Sequence, residues 1–317
     1  MAAHAPTAIE AEGLRKNYKD QQVLKGIDLH VPAGTVLGLL GPNGAGKTTT
    51  VRILSTLLRG DGGRARVCGF DVSKDPREVR RRIGLSGQYA AVDEELSGRE
   101  NLVLLGRLLH LGAPAARARA EEMLSRFQLS DAGDKPLRAY SGGMRRRLDL
   151  ASTLVGSPEV IFLDEPTTGL DPKSRLDLWA VVRELVAEGV TVLLTTQYLE
   201  EADELADRIA VIDRGTVVAE GSADELKRRV GEERLEITVA DPADLPAALT
   251  ALSGALAGEL TRDDQKGVLG VRLKDGLAGV ASAAAALHRA GIPVSDFAQR
   301  RPSLDEVFLT LTGHQAA

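Results

Sequence analysis

The run Gly41-Pro42-Asn43-Gly44-Ala45-Gly46-Lys47-Thr48-Thr49 is the first place where residue type and spacing point to chemistry. It fits the phosphate-loop pattern G-x-x-x-x-G-K-[ST]. Glycines let a backbone wrap a phosphate without Cβ clashes, and the freed N–H groups and a helix N-terminus then face negative charge. Lys47 is placed to reach the β- and γ-phosphates and Thr48 to ligate Mg²⁺. A second element is Val160-Ile161-Phe162-Leu163-Asp164-Glu165, an apolar run ending in two carboxylates. Doubly wound folds bind ligands at the C-terminal ends of such strands. There Asp164 would hold the hydration shell of the Mg²⁺, and Glu165 would polarise an attacking water. The third is Tyr140-Ser141-Gly142-Gly143-Met144, where a serine can cap the next helix and glycines let backbone approach an anion. Alone, two acids at a strand end or a Ser-Gly-Gly turn are ordinary surface features.

The flanking sequence predicts the elements that would hold these groups. Val36 to Leu40 reads as a buried strand entering the glycine loop, and a helix runs from the loop to about Leu58. Arg64 to Gly69 reads as another short strand. Residues 75 to 156 read as helical, with Ser97 and Glu100 at capping-box spacing and Pro114 opening a further helix. Asp171 and Pro172 form an N-cap and N1 pair, and Gly189 a stop. Val190 to Leu194 is the next strand, and Asp213-Arg214-Gly215 turns a hairpin. Beyond about residue 230 the pattern changes. Leu235, Ile237 and Val239 alternate, helices follow Pro242 and Leu277, and strands are expected near Val268 and Val294. The expected organisation is a domain over 1–230 and a small α+β domain, ferredoxin-like in pattern, over 231–317.

Composition narrows the function classes. The 317 residues carry 45 acidic and 40 basic side chains, a net charge of −5, which argues against broad nucleic-acid binding. The clusters Arg80–Arg82 and Arg145–Arg147 read as solvated faces or partner contacts. One cysteine, Cys68, excludes an intramolecular disulfide framework and fits a reducing compartment. No apolar run approaches the roughly 20 residues of a membrane-spanning helix, and no signal peptide is visible, so membrane action is expected to go through a partner.

The order and spacing of the three elements, with Lys47 and Ser141 94 positions apart, resemble the ATP-binding cassette (ABC) ATPases over about residues 8 to 230. The resemblance implies an α/β P-loop NTPase with a mixed sheet core, an antiparallel β subdomain and a helical subdomain. It implies ATP and Mg²⁺ as cofactors and a head-to-tail homodimer. It further implies that Tyr18 stacks on adenine and that Gln88 links Mg²⁺ and water to a membrane-subunit contact. Ser141, Gly142 and Gly143 would touch the γ-phosphate held by the other subunit, and Asp171 would couple the two sites. Two positions depart from the family pattern. Met144 replaces the usual glutamine. Gln197 stands where the family has histidine, so it can donate a hydrogen bond but cannot carry a proton charge. Glu165 is then expected to be the main catalytic group, with Gln197 positioning.

Three further stretches, Ser86–Glu94, Thr195–Asp203 and Ser303–Gly313, resemble the daunorubicin-resistance type of exporter ATPase. That resemblance implies a cassette on the cytoplasmic face of the membrane, peripheral through a separate permease chain, and export of hydrophobic drugs or lipids. The last stretch also reads as an amphipathic helix, with Leu304, Val307, Phe308 and Leu311 on one face and Ser303 and Glu306 as a capping box. The family reading adds a part in dimerisation or in communication with the cassette. A soluble cassette ATPase acting on ribosomes or DNA is the alternative. It is disfavoured by the single cassette and by the absence of room for a long coiled coil between the phosphate loop and Ser141. A scaffold without turnover is disfavoured by the presence of Lys47, Asp164 and Glu165 together.

Overall fold

The computed structural model describes residues 6–19, 21–87, 92–230, 234–256, 260–263, 267–272, 277–300 and 302–313. The chain forms two compact units, residues 1–223 with 311–317, and residues 224–310. The first unit runs β1 (Thr7–Tyr18), β2 (Gln21–Pro32), β3 (Val36–Leu40), α1 (Lys47–Leu54), β4 (Gly62–Val67), β5 (Phe70–Asp71), α2 (Pro76–Arg80) and β6 (Ile83–Ser86). It continues with α3 (Gly98–Leu108), α4 (Ala113–Arg126), α5 (Gly142–Leu154), β7 (Val160–Asp164), α6 (Pro172–Ala187), β8 (Thr191–Thr196), α7 (Leu199–Leu205), β9 (Arg208–Asp213) and β10 (Thr216–Gly221).

The central sheet has the order β10-β9-β3-β8-β7-β6. Its strands are parallel except β10, which returns antiparallel to β9 through the expected hairpin. Every residue of β3, β7 and β8 is buried, because both faces of the sheet are covered. Alternation along a strand sends successive side chains to opposite faces. Val160, Phe162 and Leu193 thus join Leu37, Ile27 and Val51 in one core, under an antiparallel sheet of order β2-β1-β4-β5. Ile161, Leu163, Val192 and Leu194 join Phe127, Leu148 and Trp179 in the other, under the helices.

Two sequence expectations are corrected. The stretch 75–156 is not wholly helical, because β6 inserts as the parallel partner of β7. Four residues are too few to show a period, and only pairing with β7 makes them a strand. The helix expected to reach Leu58 stops at Leu54, where Thr56 adopts a left-handed backbone with φ of 65°. The capping box on α3 forms in full, with Ser97 and Glu100 exchanging side chain-to-backbone bonds.

The second unit begins with α8 (Ala223–Val230), followed by β11 (Arg234–Val239), α9 (Leu245–Ala255), β12 (Leu260–Asp263), β13 (Val268–Arg272), α10 (Leu277–Arg289), β14 (Val294–Arg300) and α11 (Leu304–Thr312). Its antiparallel sheet has the order β12-β13-β11-β14, the ferredoxin-like arrangement. Strand β12 carries no apolar alternation and was not expected from sequence; its four residues are half-buried or exposed. Leu235, Ile237 and Val239 fill a core of their own with Leu245, Leu252 and Leu287. Glu306 N donates to Ser303 Oγ at 3.2 Å, the serine half of the capping box predicted for α11.

Candidate active site

Strand β3 delivers the chain into the glycine loop, and α1 starts at Lys47. A Cβ at Gly41 would sit 2.3 Å from Ile212 O, and one at Gly46 would sit 2.5 Å from Leu24 Cδ2. Gly46 also has φ of 113°, a region closed to most side chains. The loop is braced from behind, since Gly215 N donates to Ala45 O at 3.0 Å and Lys25 N to Gly215 O at 2.8 Å. The first six residues of the motif, Gly41, Pro42, Asn43, Gly44, Ala45 and Gly46, therefore form one braced turn ahead of Lys47, Thr48 and Thr49 at the start of α1.

Lys47 Nζ donates to Gly41 O at 2.6 Å and Pro42 O at 3.2 Å, and lies 3.7 Å from Glu165 Oε1. Burial lowers the pKa of this ammonium, and the Glu165 and Asp164 carboxylates oppose the shift. Asp164 ends β7 in register with Thr195 of β8. Its Oδ1 accepts from Thr195 Oγ1 at 2.5 Å and from Thr48 Oγ1 at 3.2 Å. Glu165 follows with φ of 51°, a left-handed backbone that costs a non-glycine residue about 1–2 kcal/mol. Its N–H is held by Thr195 O at 3.0 Å and Thr195 Oγ1 at 3.2 Å. Gln197 comes directly after β8, whose Thr196 pairs with Leu40 of β3. Neighbouring strands β3, β8 and β7 thus bring the glycine loop, Gln197, Asp164 and Glu165 to one edge of the sheet.

Ser141 caps α5, accepting from Met144 N at 3.2 Å. Asp171 caps α6, accepting from Ser174 N at 3.0 Å and from Ser174 Oγ at 2.6 Å, bonds that hold its carboxyl below the usual carboxylate range. A Cβ on Gly143 would lie 2.6 Å from that same Ser174 Oγ, so the starts of α5 and α6 press together at a glycine. Gly142, Glu165 and Gly169 line one cavity. Tyr18 ends β1 and is exposed, its ring centre 5.8 Å from Lys16 Nζ. It pairs with Gln21 of β2, the strand whose Leu24 backs Gly46. Gln88 lies outside the described residues.

One functional candidate escaped the sequence reading. Arg146 is not on a solvated face. Its guanidinium donates to Pro166 O at 2.6 Å and Gly87 O at 3.0 Å, and pairs with Asp149 at 3.4 Å. Asp149 in turn accepts from Ser86 Oγ at 2.5 Å. Burial depresses the Arg146 pKa, opposed by the Asp149 charge. Arg146 and Asp149 at i,i+3 were the available signal. Of its neighbours, Arg145 is more exposed than Arg146 and pairs with Glu94 at 3.0 Å, while Arg147 is half-buried and donates to Phe127 O at 3.2 Å.

Among the described residues no group of three or more His, Cys, Asp or Glu could cage a metal ion. Thr48 and Asp164 instead offer an adjacent pair of hard oxygen donors. That fits Mg²⁺, which keeps several waters and shares its shell with substrate phosphates.

The family model described as ABC transporter matches residues 24–168, and that of the DrrA1-3-like ATP-binding protein C-terminal domain matches 221–312. The daunorubicin resistance ATP-binding protein DrrA3 of Streptomyces coeruleorubidus is 57% identical, over 98% of this chain and 97% of its own length. The chain belongs to the ABC ATPase family, in its DrrA type. The daunorubicin/doxorubicin resistance protein DrrA of Streptomyces peucetius is 54% identical to this ABC ATPase over 100% of the chain and 96% of its own. The Nod factor export ATP-binding protein I of Ralstonia nicotianae is 39% identical over 97% and 94%. Among solved structures, the cassette MJ0796, in a dimeric post-hydrolysis state with ADP and Pi, is similar with a TM-score of 0.63 and 25% identity, covering 68% of this chain and 98% of that one. This ABC ATPase binds and hydrolyses ATP to power export across a membrane. No helix among its described residues is long and apolar enough to cross one.

Proposed function

We propose that this ABC ATPase drives export of hydrophobic drugs or antibiotics through a separate permease chain, which holds it at the cytoplasmic face of the membrane. The observation that carries this reading is the likeness to drug-resistance ATP-binding proteins along both units, 57% identity over 98% of the chain. Two copies pair head to tail with two ATP molecules at the interface. The net charge of −5 supports the absence of a nucleic-acid partner.

Within each copy Tyr18 stacks on adenine and the loop Gly41–Gly46 wraps the phosphates, with Lys47 and Thr49 at the start of α1. Lys47 leaves its loop carbonyls for the β- and γ-phosphate oxygens, a charge-assisted exchange, and Glu165 helps to keep its ammonium protonated against burial. Thr48, Asp164 and Gln88 would hold Mg²⁺, which supplies charge neutralisation between the phosphates. Glu165 polarises the attacking water, and Gln197 positions the γ-phosphate by hydrogen bonding. Ser141, Gly142 and Gly143 close on the γ-phosphate held by the partner copy, and Asp171 couples the two sites. Gln88 and the helix α3 pass the motion to the permease.

The test is co-purification with the permease and ATPase measurement with and without it. Glu165→Gln is expected to lose about 10²–10⁴-fold in kcat, the scale of a removed general base. Gln197→Ala should lose less. Near wild-type turnover in Glu165→Gln would overturn the catalytic assignment, and normal turnover without any membrane partner would favour the soluble alternative.

A further inference from the structure

Helix α6 is capped by Asp171, and helix α7 begins two residues after Gln197. Three α6 residues spaced four apart face α7. Arg175 pairs with Glu200 at 3.4 Å and lies 5.3 Å from the Tyr198 ring centre. Trp179 Nε1 donates to Glu201 Oε1 at 3.3 Å, and Arg183 pairs with Glu204. The outer pairs are partly exposed and each is worth little. The middle pair is different, since Trp179 is 3% and Glu201 0% exposed. Among the described residues of the first unit Glu201 is the most deeply buried acid, and the proposed reaction does not use it.

The second oxygen of Glu201 is the informative atom. Oε2 has no hydrogen-bond partner among the described residues, and neither has the buried Thr167 Oγ1. The Thr167 and Thr196 hydroxyls face this carboxyl. Thr167 lies in the loop between Glu165 and Asp171, and Thr196 immediately precedes Gln197. Hydroxyls this close stabilise a buried carboxyl, so displacing either one costs free energy. Glu201 therefore stands at the junction of the two loops, anchored to α6 through the indole.

We propose that Trp179 and Glu201 are positioning residues that tie Gln197 to Asp171 within one cassette, so that the γ-phosphate contact at Gln197 is felt at the dimer-coupling loop. This rests on the roles proposed above for Gln197 and Asp171. Movement of either loop shifts Thr196 or Thr167 against a carboxyl fixed to α6, and the other loop follows.

A double-mutant cycle on kcat in the full chain, with and without the tie, tests this. Asp171→Ala and Gln197→Ala are combined in the native background and again with Trp179→Phe, which keeps an aromatic ring but lacks the N–H donor. In the native background the two effects should deviate from multiplicativity by about tenfold, and with Trp179→Phe they should multiply. Glu201→Met should act like Trp179→Phe, whereas Glu201→Gln, which keeps an acceptor for the indole, should retain the coupling. Both single variants altering turnover, with the same deviation in native and Trp179→Phe backgrounds, would overturn the tie alone. Neither single variant altering turnover would overturn the site reading and the tie with it. Should Trp179→Phe lower the melting temperature below the assay range, the cycle with Glu201→Met decides.

Discussion

At the residue scale the site turns on one carboxylate oxygen. Asp164 Oδ1 accepts from hydroxyls on β8 and α1, fixing the acid edge to the phosphate loop. Cys68 has the opposite character, an ionisable group kept silent. Burial, helped by Glu159, pushes its pKa up to about 11 from an ordinary 9.0, with Arg82 opposing. Only the thiolate reacts, so at pH 8 labelling by a disulfide reagent should be about a hundredfold slower than for a free cysteine, the factor a rise from 9.0 to about 11 implies. Unfolding in denaturant should restore the ordinary rate; fast labelling of the native chain would contradict the burial. The raised folded value also means that folding opposes thiol ionisation. Stability should therefore fall as pH climbs from 9.0 towards about 11. The proposed nucleotide residues stand out in the sequence as candidates because phosphate chemistry demands contiguous types, Gly41 to Thr48 and Asp164-Glu165. Arg146 does not, because its acceptors are backbone carbonyls of Gly87 and Pro166, which look the same in every sequence.

At the element scale, α5 carries more than the Ser141 cap. Through Arg146, Asp149 and Ser86 it grips the end of β6 and the chain leaving β7. Arg146→Met would take the Arg146 charge away from buried Asp149, and breaking a buried pair by removing one partner costs about 3–5 kcal/mol. Urea denaturation should read this loss, and Arg146→Met with Asp149→Leu should recover part of it. Equal losses in the single and double variants would show that the carbonyl contacts, not the ion pair, carry the effect. The same grip explains why β6 was illegible. A four-residue strand is defined by the β7 edge it joins and the helix that clamps it, and neither is local. By contrast β3, β7 and β8 were legible, because burial on both faces writes an unbroken apolar run.

At the scale of the whole molecule the described residues proposed for the chemistry fall in one unit. All described residues of the phosphate loop and acid edge lie in the first unit, and the core of Leu235, Ile237 and Leu287 belongs to the second. Ile237→Asp sets a charge in that core, and a buried unpaired charge is not tolerated. Limited proteolysis should then degrade the second unit while ATP binding by the first persists. Loss of ATP binding would mean that the two do not fold independently. Val36 of β3 pairs with Val192 of β8, and Ile83 of β6 with Val160 of β7. Parallel pairing over such separations forms late, since loop closure precedes any reward from contact. On the ribosome, the phosphate loop emerges long before its acids and Gln197. A nascent or truncated chain ending before Thr191 has the lysine and glycines but no central strand beside them. Its apolar β3 edge stays open, a surface that invites aggregation or chaperone capture.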